Sequence, residues 1–515
     1  MKRLVLPAAA ILLILVAAGK SAVSNVLIIH ADQGRQQISR HLYGQFAEQL
    51  GRGIYDGIWV GTNSEIPNTR GIRNDTVAAL KKIHVPVIRW PGGCYADQYH
   101  WEDGIGPSDQ RPVRINTSWG GVADSNQFGT HEFMDFCGQV GASPYLAINM
   151  GSGSVSEMMS WIEYLTAATN SFWSDLRRKN GRAEPWEIPF VGVGNESWGC
   201  GGSMTPEYYA DNFRRYNEFL RDFPGNKIYR VASGSLPDDT NWTEVLMRNV
   251  GSRMNGLSLH YYTFLNGNWP PTGSATKFAE AGWFAVLRNA WGMNEVINRH
   301  AAIMDRYDPQ KKIGLIVDEW GTWFDSDPGN DQGILYQQNT LRDALVAGIT
   351  LNLFNNHCDR VKMACIAQLA NVLQSLILTD ENKFLVTPTY WVFEMYVPHH
   401  DATLLPVELR SADYQFDGDT MPAVSASASR DAGGRICVTL CNANPREPAP
   451  ITVTLTGAKI GSISGRVLTA EAMTAHNTFD HPDAVKPVPF NGAALTSGGF
   501  TVSLPPMSVV ALICQ

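Results

Sequence analysis

The stretch Phe190-Val191-Gly192-Val193-Gly194-Asn195-Glu196-Ser197-Trp198 begins as a short apolar run and ends in polar and aromatic side chains. A longer pattern typical of a helix follows it over residues 205–223. Short apolar runs that alternate with helices indicate parallel strands, because two parallel strands need a long crossover connection. The polar end of this run would then lie at the carboxyl end of a buried strand.

The same unit recurs between residues 41 and 400. Eight such units in about 360 residues predict a (β/α)8 TIM barrel with insertions. A doubly wound open sheet is the alternative, but its first strand is usually followed by a glycine-rich phosphate loop, which residues 44–48 do not form. The eight apolar runs are residues 42–46, 86–90, 144–150, 190–194, 227–232, 256–261, 313–317 and 363–367, and helical patterns between them include residues 75–83, 205–223, 279–307 and 337–351.

The composition changes near residue 400. All 15 tryptophans lie between Trp59 and Trp391. Beyond residue 400, alternating runs such as residues 436–440, 451–455 and 500–504 are separated by turns rich in Gly, Pro and Asn. This pattern predicts an accessory antiparallel β-sandwich, similar to a jelly roll, over residues 401–515. Residues 25–40 contain an isolated strand candidate that we expect to join the sandwich, because chain ends often lie close together.

The overall composition excludes some classes of protein. Charged residues make up 17% and hydrophobic residues 44% of the 515 residues, which is not the composition of a disordered chain. Acidic residues outnumber basic ones by 49 to 41, and the net charge is -8. Nucleic-acid binding is therefore not expected, because neutralising phosphates requires a basic face.

Residues 1–24 have the pattern of a secretory signal peptide. Met1-Lys2-Arg3 precedes an apolar run over residues 4–18, which is shorter than the about 20 residues of a membrane span. We therefore expect export to the periplasm or the extracellular medium, with cleavage after Gly19, Ala22 or Ser24. No membrane span would remain after processing. An uncleaved anchor is the alternative.

The eight cysteines show no spacing typical of a metal site. An exported chain could form disulfides, and the number of cysteines is even. In a chain of this length, however, we expect each cysteine to be a small buried residue rather than half of a disulfide. The cysteines occupy positions 94, 137, 200, 358, 365, 437, 441 and 514.

Three glutamates come at or just after the ends of predicted strands: Glu48 after the first, Glu196 after the fourth and Glu319 after the seventh. Because the active site of a TIM barrel forms at the carboxyl ends of its strands, these side chains should converge. Buried carboxylates are costly to desolvate unless they are paired or used. Cleavage of a glycosidic bond uses two carboxylates, one protonated to assist the leaving oxygen and the other ionised to attack or stabilise the sugar carbon.

The residues around these glutamates resemble a known family. Glu196 lies in Gly-Asn-Glu-Ser-Trp-Gly-Cys-Gly-Gly and Glu319 in Asp-Glu-Trp-Gly-Thr-Trp, which look like the motifs of retaining glycosidases with catalytic glutamates on strands four and seven. More narrowly, the chain resembles the glycoside hydrolase family 51 α-L-arabinofuranosidases. Further blocks that follow the order of the family are residues 43–55, 89–94, 99–107, 259–262, 367–372 and 390–396.

The resemblance implies a retaining, exo-acting α-L-arabinofuranosidase that works by double displacement without a cofactor or a metal. Glu319 would be the nucleophile and Glu196 the general acid and base, with their carboxyl groups about 5 Å apart. Cys94 and Gly321 stand where many members have Asn, so contacts at the pocket rim are expected to differ. The implied substrate-binding residues are Glu48, Cys94, Asn195, Tyr262, Trp323 and Gln368, with Arg89 and His260 as supports behind them.

The implied partner is an arabinose-containing polysaccharide or oligosaccharide, such as arabinan or arabinoxylan. Two alternatives are a β-xylosidase or endo-β-1,4-glucanase on the same scaffold, and a carbohydrate-binding protein without activity. The presence of both catalytic glutamates argues against the latter. Assembly into a homo-oligomer is a further possibility, and the sequence identifies no interface for it. Trp90, Trp101 and Trp198 are either sugar contacts or core residues.

Overall fold

The computed structural model describes residues 25–327 and 334–515. The predicted signal peptide, residues 1–24, lies outside the described residues. Across the two described ranges, no helix combines the length and the apolar character that crossing a membrane requires.

Eight parallel strands close into a barrel in chain order, and the eighth pairs with the first through Cys365 and Gly44. This closed barrel confirms the predicted TIM-barrel fold. In order, the barrel strands are Gly44–Phe46, Val87–Trp90, Ser143–Ile148, Phe190–Val193, Tyr229–Ser235, Gly256–Thr263, Gly314–Thr322 and Val361–Ala367.

Helices follow the strands, and in six of the nine α-helices of the described residues a capping side chain accepts a hydrogen bond from the first turn. The helix predicted from residue 337 begins at Leu341, because the Thr340 side chain accepts a hydrogen bond from the backbone of Arg342 and the Asp343 side chain bonds back to Thr340. The α-helices of the described residues are Asn74–Lys82, Thr130–Val140, Val155–Thr166, Phe172–Lys179, Pro206–Phe219, Thr240–Val250, Glu280–Tyr307, Leu341–Asn356 and Pro388–Tyr396.

The seventh barrel strand is longer than predicted and is irregular around Asp318 and Glu319. It runs to Thr322, so Glu319 lies inside the strand rather than after it. Its pairing with the eighth strand shifts register between Val317 and Trp320. In a regular strand, neighbouring side chains point to opposite faces. Because of the shift, the neighbouring carboxylates Asp318 and Glu319 both approach the same arginine, Arg89.

Two sheets form the accessory sandwich, in which most strand pairs are antiparallel, as predicted. Strand Asn25–His30 pairs in parallel with Ala449–Thr456 and antiparallel with Val407–Arg410. In order, the first sheet contains Val407–Arg410, Asn25–His30, Ala449–Thr456, Gly499–Leu504 and Ala493–Thr496. The second contains Thr403–Leu405, Val424–Arg430, Ile436–Asn442, Ser508–Cys514, Ile463–Leu468 and Val488–Pro489.

The helix Leu341–Asn356 lies between the barrel and the sandwich. Nearly all of its side chains are buried. Asn352 donates a hydrogen bond to Ser425 and accepts one from Thr439, both on sandwich strands. Trp90 and Trp101, by contrast, are buried inside the barrel's helical layer, which places them in the core rather than in contact with a ligand.

Candidate active site

The two glutamates of the sequence motifs meet at the carboxyl end of the barrel. One carboxylate oxygen of Glu196 and one of Glu319 lie within 4.8 Å of each other. Glu319 is the more deeply buried, with 6% of its side chain exposed against 18% for Glu196. Two carboxyl groups at this separation fit a displacement through a covalent intermediate, because an inverting enzyme needs about 6.5–9.5 Å to place a water between them.

Arg89 on the second strand connects three groups at the barrel mouth. Its Nη1 donates to Glu319 Oε1 at 2.7 Å, and its Nη2 donates to Asn195 Oδ1 at 2.6 Å. Asp318 Oδ2 lies 3.6 Å from its Nε. The guanidinium is 2% exposed, so its charge compensates carboxylates that water cannot reach. Arg89 therefore contacts Glu319, Asn195 and Asp318 at once, and its role as a support stays a prediction.

His260 on the sixth strand is held between carboxylates. Its Nδ1 lies 2.8 Å from Glu196 Oε1 and 3.5 Å from Glu319 Oε2, and its Nε2 lies 3.4 Å from Asp318 Oδ1. Burial favours the neutral ring, but these carboxylates outweigh it and raise the pKa of His260 to about 10. The ring is therefore an imidazolium at neutral pH, and both nitrogens donate.

Asp318 is a member of this network that the sequence analysis did not assign. It accepts hydrogen bonds from Tyr145 and Ser258 in addition to its contacts with Arg89 and His260. Burial alone would raise the pKa of Asp318, but Arg89 and His260 hold it well below its usual range. Its position directly before Glu319 was the signal in the sequence that could have assigned it to the site. In a regular strand, however, only one of these two neighbouring side chains would point inward.

Glu48 lies at the end of the first strand in a different environment. Its Oε1 accepts hydrogen bonds from the backbone N–H groups of Gly93 and Tyr95, at 3.1 and 3.0 Å, and its Oε2 accepts one from Gln368 at 3.2 Å. Burial, together with the nearby charge of Glu319, raises the pKa of Glu48 to about 7. Glu48 and Gln368 thus form a buried polar pair beside the two catalytic candidates.

The backbone at Glu196 is unusual. Its φ of 38° lies in the left-handed region, which is uncommon for a residue other than glycine. The carbonyl oxygen of Glu196 accepts hydrogen bonds from the N–H groups of Gly199 and Gly201 at 2.7 and 3.1 Å. A Cβ on Gly201 would lie 1.8 Å from the Asn195 carbonyl oxygen. The tight turn fixes the direction in which the Glu196 side chain points.

Cys94 and Cys200 form a disulfide beside Glu196. The expectation that each cysteine is a buried residue without a partner is therefore wrong for this pair, because the barrel brings two loops together that lie 106 residues apart in sequence. Their sulfur atoms lie 3.8 and 3.4 Å from Glu196 Oε2. The remaining six cysteines are free and buried.

Aromatic side chains form one wall of the mouth. Tyr262 donates a hydrogen bond to Glu319 Oε2 at 2.8 Å. Trp323 packs edge-on against Tyr262, with ring centroids 4.9 Å apart. Trp269, which the sequence analysis did not single out, packs against Trp323 and is 63% exposed. The structure thus brings Tyr262 and Trp323 together with the glutamates, and it adds Trp269 at the outer rim.

Within the described ranges, two sets of side chains place potential metal-ligating atoms within 4.8 Å of one another: Cys94, Glu196 and Cys200, and Glu196, His260 and Glu319. Neither set fits a metal ion as it stands. Cys94 and Cys200 are bonded to each other. Cysteine binds metals as a free thiolate, so neither sulfur is available as a ligand. His260 is a cation that already compensates both glutamates.

Comparisons with known proteins point to one family. Two family models match the chain, the alpha-L-arabinofuranosidase 1 domain over residues 79–264 and the alpha-L-arabinofuranosidase C-terminal domain over residues 318–508. The chain is 49% identical over 493 residues to an intracellular exo-alpha-L-arabinofuranosidase of Bacteroides ovatus, a match that covers 96% of each protein.

Solved structures agree as well. A GH51 arabinofuranosidase from Xanthomonas axonopodis pv. citri matches with a TM-score of 0.94 and 50% identity, over 96% of this chain and all of that one. An alpha-L-arabinofuranosidase from Thermotoga maritima in an arabinose complex matches with a TM-score of 0.80 and 29% identity, over 95% of this chain and 99% of that one.

The comparison with Bacteroides ovatus corrects the expectation of export. The relative that matches 96% of the chain is described as intracellular, so the prediction of an exported, periplasmic or extracellular protein is wrong. The prediction rested on an apolar run after two basic residues. Such a run reports local hydrophobicity, which does not by itself establish that a segment directs export.

The closed barrel, the paired glutamates and the full-length matches lead to one conclusion. The chain belongs to glycoside hydrolase family 51, and its activity is that of an exo-acting α-L-arabinofuranosidase, as predicted.

Proposed function

We propose that Glu319 and Glu196 are the nucleophile and the general acid and base of a double displacement on a terminal arabinofuranosyl residue. The observation that carries this proposal is the pair of carboxylate oxygens within 4.8 Å in unlike surroundings. Arg89 and Tyr262 donate to Glu319 at 2.7 and 2.8 Å. They hold the carboxylate in a fixed orientation, which is what attack on the anomeric carbon requires.

Glu196 has fewer donors than Glu319 and a more exposed side chain, which fits a group that gives up and takes back a proton. In the first step, Glu319 attacks the anomeric carbon, the glycosidic bond breaks, and Glu196 protonates the leaving oxygen. In the second step, Glu196 takes a proton from a water that attacks the anomeric carbon and releases Glu319. The imidazolium of His260, 2.8 Å from Glu196 Oε1, would stabilise the ionised form between the steps.

The remaining side chains of the pocket would bind the sugar. Asn195, which Arg89 holds by its Oδ1, would offer its amide to the 2-hydroxyl group. Glu48 and Gln368 would bind further hydroxyl groups, and Trp323 would form the apolar wall. Cys94 reaches the same space through the disulfide beside Glu196.

The substrates we propose are arabinan, arabinoxylan or the oligosaccharides derived from them. The chain's net charge of -8 suits a neutral sugar, whose capture needs no electrostatic steering. We also propose the division into a barrel over residues 41–400 and a sandwich that combines residues 25–40 and 401–515. Assembly into a homo-oligomer stays a prediction that light scattering of the purified chain would check.

Hydrolysis rates on three substrates test the function. We expect release of 4-nitrophenol from its α-L-arabinofuranoside, much slower reaction of the β-xyloside, and none of carboxymethylcellulose. Proton NMR early in the reaction should show arabinose formed with retained anomeric configuration. Activity on cellulose alone would contradict the assignment, and binding without turnover of any glycoside would favour a carbohydrate-binding protein.

A further inference from the structure

The disulfide Cys94–Cys200 lies against the carboxyl group of Glu196, the proposed proton donor. Cys94 follows the second strand and Cys200 lies in the turn after the fourth, so the bond joins two loops at the barrel mouth. Both sulfur atoms face the same oxygen, Glu196 Oε2, at 3.8 and 3.4 Å. The other carboxylate oxygen, Oε1, is bound by His260. The sulfur pair is therefore the contact of Glu196 on the side away from the imidazolium.

Within the described part of the chain, this pair also differs from the other cysteines in its exposure. Cys200 is exposed and Cys94 is half-buried, whereas the six free cysteines are all buried. Cys200 is therefore the end of the disulfide that a small reductant would approach from solvent. Burial shields the free cysteines, and it raises the pKa of Cys137 and of Cys365, so neither is a reactive thiolate at neutral pH.

Hydrogen bonds and close packing hold the surrounding turn in addition to the disulfide. The Glu196 carbonyl oxygen accepts hydrogen bonds from Gly199 and Gly201, and Asp97 accepts hydrogen bonds from Met150 and Gly151. A Cβ on Gly201 would lie 2.8 Å from Asp97 Oδ2, so the turn and the Cys94 loop are closely packed. If the bond were reduced, the two sulfur atoms would stay beside Glu196.

We propose that the Cys94–Cys200 disulfide is a redox-sensitive element that controls how readily Glu196 donates its proton. A disulfide sulfur has no hydrogen to donate, whereas a thiol does. Two thiols beside Oε2 would donate to the ionised carboxylate and so favour the form of Glu196 that cannot protonate a leaving group. The proposal rests on the acid and base role proposed for Glu196.

The reduction is an ordinary thiol–disulfide exchange with a dithiol. A reagent thiolate attacks Cys200 Sγ, the S–S bond breaks, and Cys94 leaves as a thiolate that takes a proton. The second thiol of the reagent then displaces Cys200 and closes the oxidised reagent as a ring. Two electrons and two protons pass to the protein, which ends with two thiols.

The other charged groups around Glu196 are common to both redox states. His260 lies 2.8 Å from its Oε1, Glu319 and Asp318 contact the same imidazole, and the Tyr262 hydroxyl group is bound to Glu319. Asp97 lies behind the Cys200 turn. Because none of these groups changes on reduction, a shift in the pH profile would report the sulfur pair.

The test compares the full chain before and after treatment with dithiothreitol. A thiol reagent should count two additional accessible thiols in the native protein. The leaving group of an arabino-oligosaccharide needs acid assistance. On this substrate, the alkaline limb of kcat/KM should move to lower pH by about half a unit. At pH values above the limb, kcat/KM should therefore fall about threefold. The 4-nitrophenyl glycoside has a good leaving group, so its rate should change little.

Two variants separate a hydrogen-bonding effect from a loss of structure. The double variant Cys94→Ala/Cys200→Ala has no donors and should not respond to dithiothreitol. Cys94→Ser/Cys200→Ser carries hydroxyl donors. Without any reagent, its alkaline limb of kcat/KM should lie at the lower pH expected for the reduced protein. The proposal is overturned if two thiols appear and the limb stays in place, if both substrates slow equally at every pH, or if the alanine variant still responds. Failure of the acid and base role itself would show separately, as a Glu196→Ala enzyme that slows equally on both substrates.

Discussion

Arg89 and Glu319 come from strands on different sides of the barrel and meet across its mouth, with Arg89 Nη1 2.7 Å from Glu319 Oε1. Both side chains are buried, with 2% and 6% of their surfaces exposed. The second nitrogen of the same guanidinium binds Asn195. One planar cation therefore orients the proposed nucleophile and a proposed sugar-binding amide together, and this relationship makes clear predictions.

Replacing Arg89 with Lys should lower kcat at least about a hundredfold, because an ammonium group cannot bind Glu319 and Asn195 in the same fixed fork. Arg89→Met should in addition lower the free energy of unfolding by about 3–5 kcal/mol, since it leaves buried carboxylates uncompensated. Steady-state kinetics and urea unfolding measure the two effects. Arg70→Met is the control: Arg70 pairs with Asp135 on the surface and its side chain is 65% exposed, so the loss should stay below about 1 kcal/mol.

Tyr262→Phe should reduce kcat about ten- to hundredfold while leaving the unfolding transition almost unchanged. The substitution removes one hydroxyl group, which donates to Glu319 Oε2 at 2.8 Å, and keeps the ring that packs against Trp323. KM should change less than kcat, because the hydroxyl group orients the nucleophile. A variant with a normal kcat would remove Tyr262 from the proposed machinery.

Glu196→Ala should separate the two chemical steps. It should keep measurable activity on 4-nitrophenyl α-L-arabinofuranoside, lose nearly all activity on arabino-oligosaccharides, and recover turnover in azide, which needs no general base to attack. Glu319→Ala should be inactive on both substrates. If both variants hydrolyse natural oligosaccharides at nearly normal rates, the roles have been given to the wrong carboxylates.

Gly93→Ala should strongly lower the activity of the enzyme without unfolding it. A Cβ on Gly93 would lie 2.7 Å from Glu319 Oε1, closer than real Cβ contacts allow, so the carboxylate must move. A shift of this kind spoils a near-attack geometry and should lower kcat about a hundredfold. Gly138→Ala is the matched control, because nothing lies within 4 Å of its Cβ in the helix Thr130–Val140. That variant should keep its kcat and gain up to about 1 kcal/mol of stability.

Asp97 should make the protein less stable as pH rises. Burial raises the pKa of its carboxyl group from the ordinary value of 3.8 to about 7. Between these values the unfolded chain releases the proton and the folded chain keeps it, so the free energy of unfolding falls with rising pH and is level above about pH 7. The fall amounts to at most about 4 kcal/mol.

Asp97→Asn should flatten that part of the pH profile, because the amide keeps an oxygen that can accept hydrogen bonds from Met150 and Gly151 but has no proton to lose. Urea unfolding at intervals from pH 4.5 to 8 measures the slope. Asp211→Asn, at a surface carboxylate that is 67% exposed, should leave the slope as it is. An unaltered slope in Asp97→Asn would mean that the buried carboxyl group is ionised throughout.

Much of the architecture was predictable because it depends on local periodicity. Eight apolar runs and the helices between them specify a barrel, and the motifs around Glu196 and Glu319 place a carboxylate at the ends of the fourth and seventh strands. Strand ends were less predictable. The seventh strand continues through the polar residues Asp318 and Glu319, because Arg89 and His260 supply the charge that lets an apolar sheet accommodate them.

The sequence by itself determined which elements form and which residue types stand at the strand ends, since both follow from the order of apolar and polar side chains. Tertiary structure alone decided which of those residues touch. The Cys94–Cys200 bond joins positions 106 residues apart, and Arg89 meets Glu319 across 230 positions. Such contacts depend on the closure and register of the barrel, which bring distant strand ends within bonding distance and which no local pattern encodes.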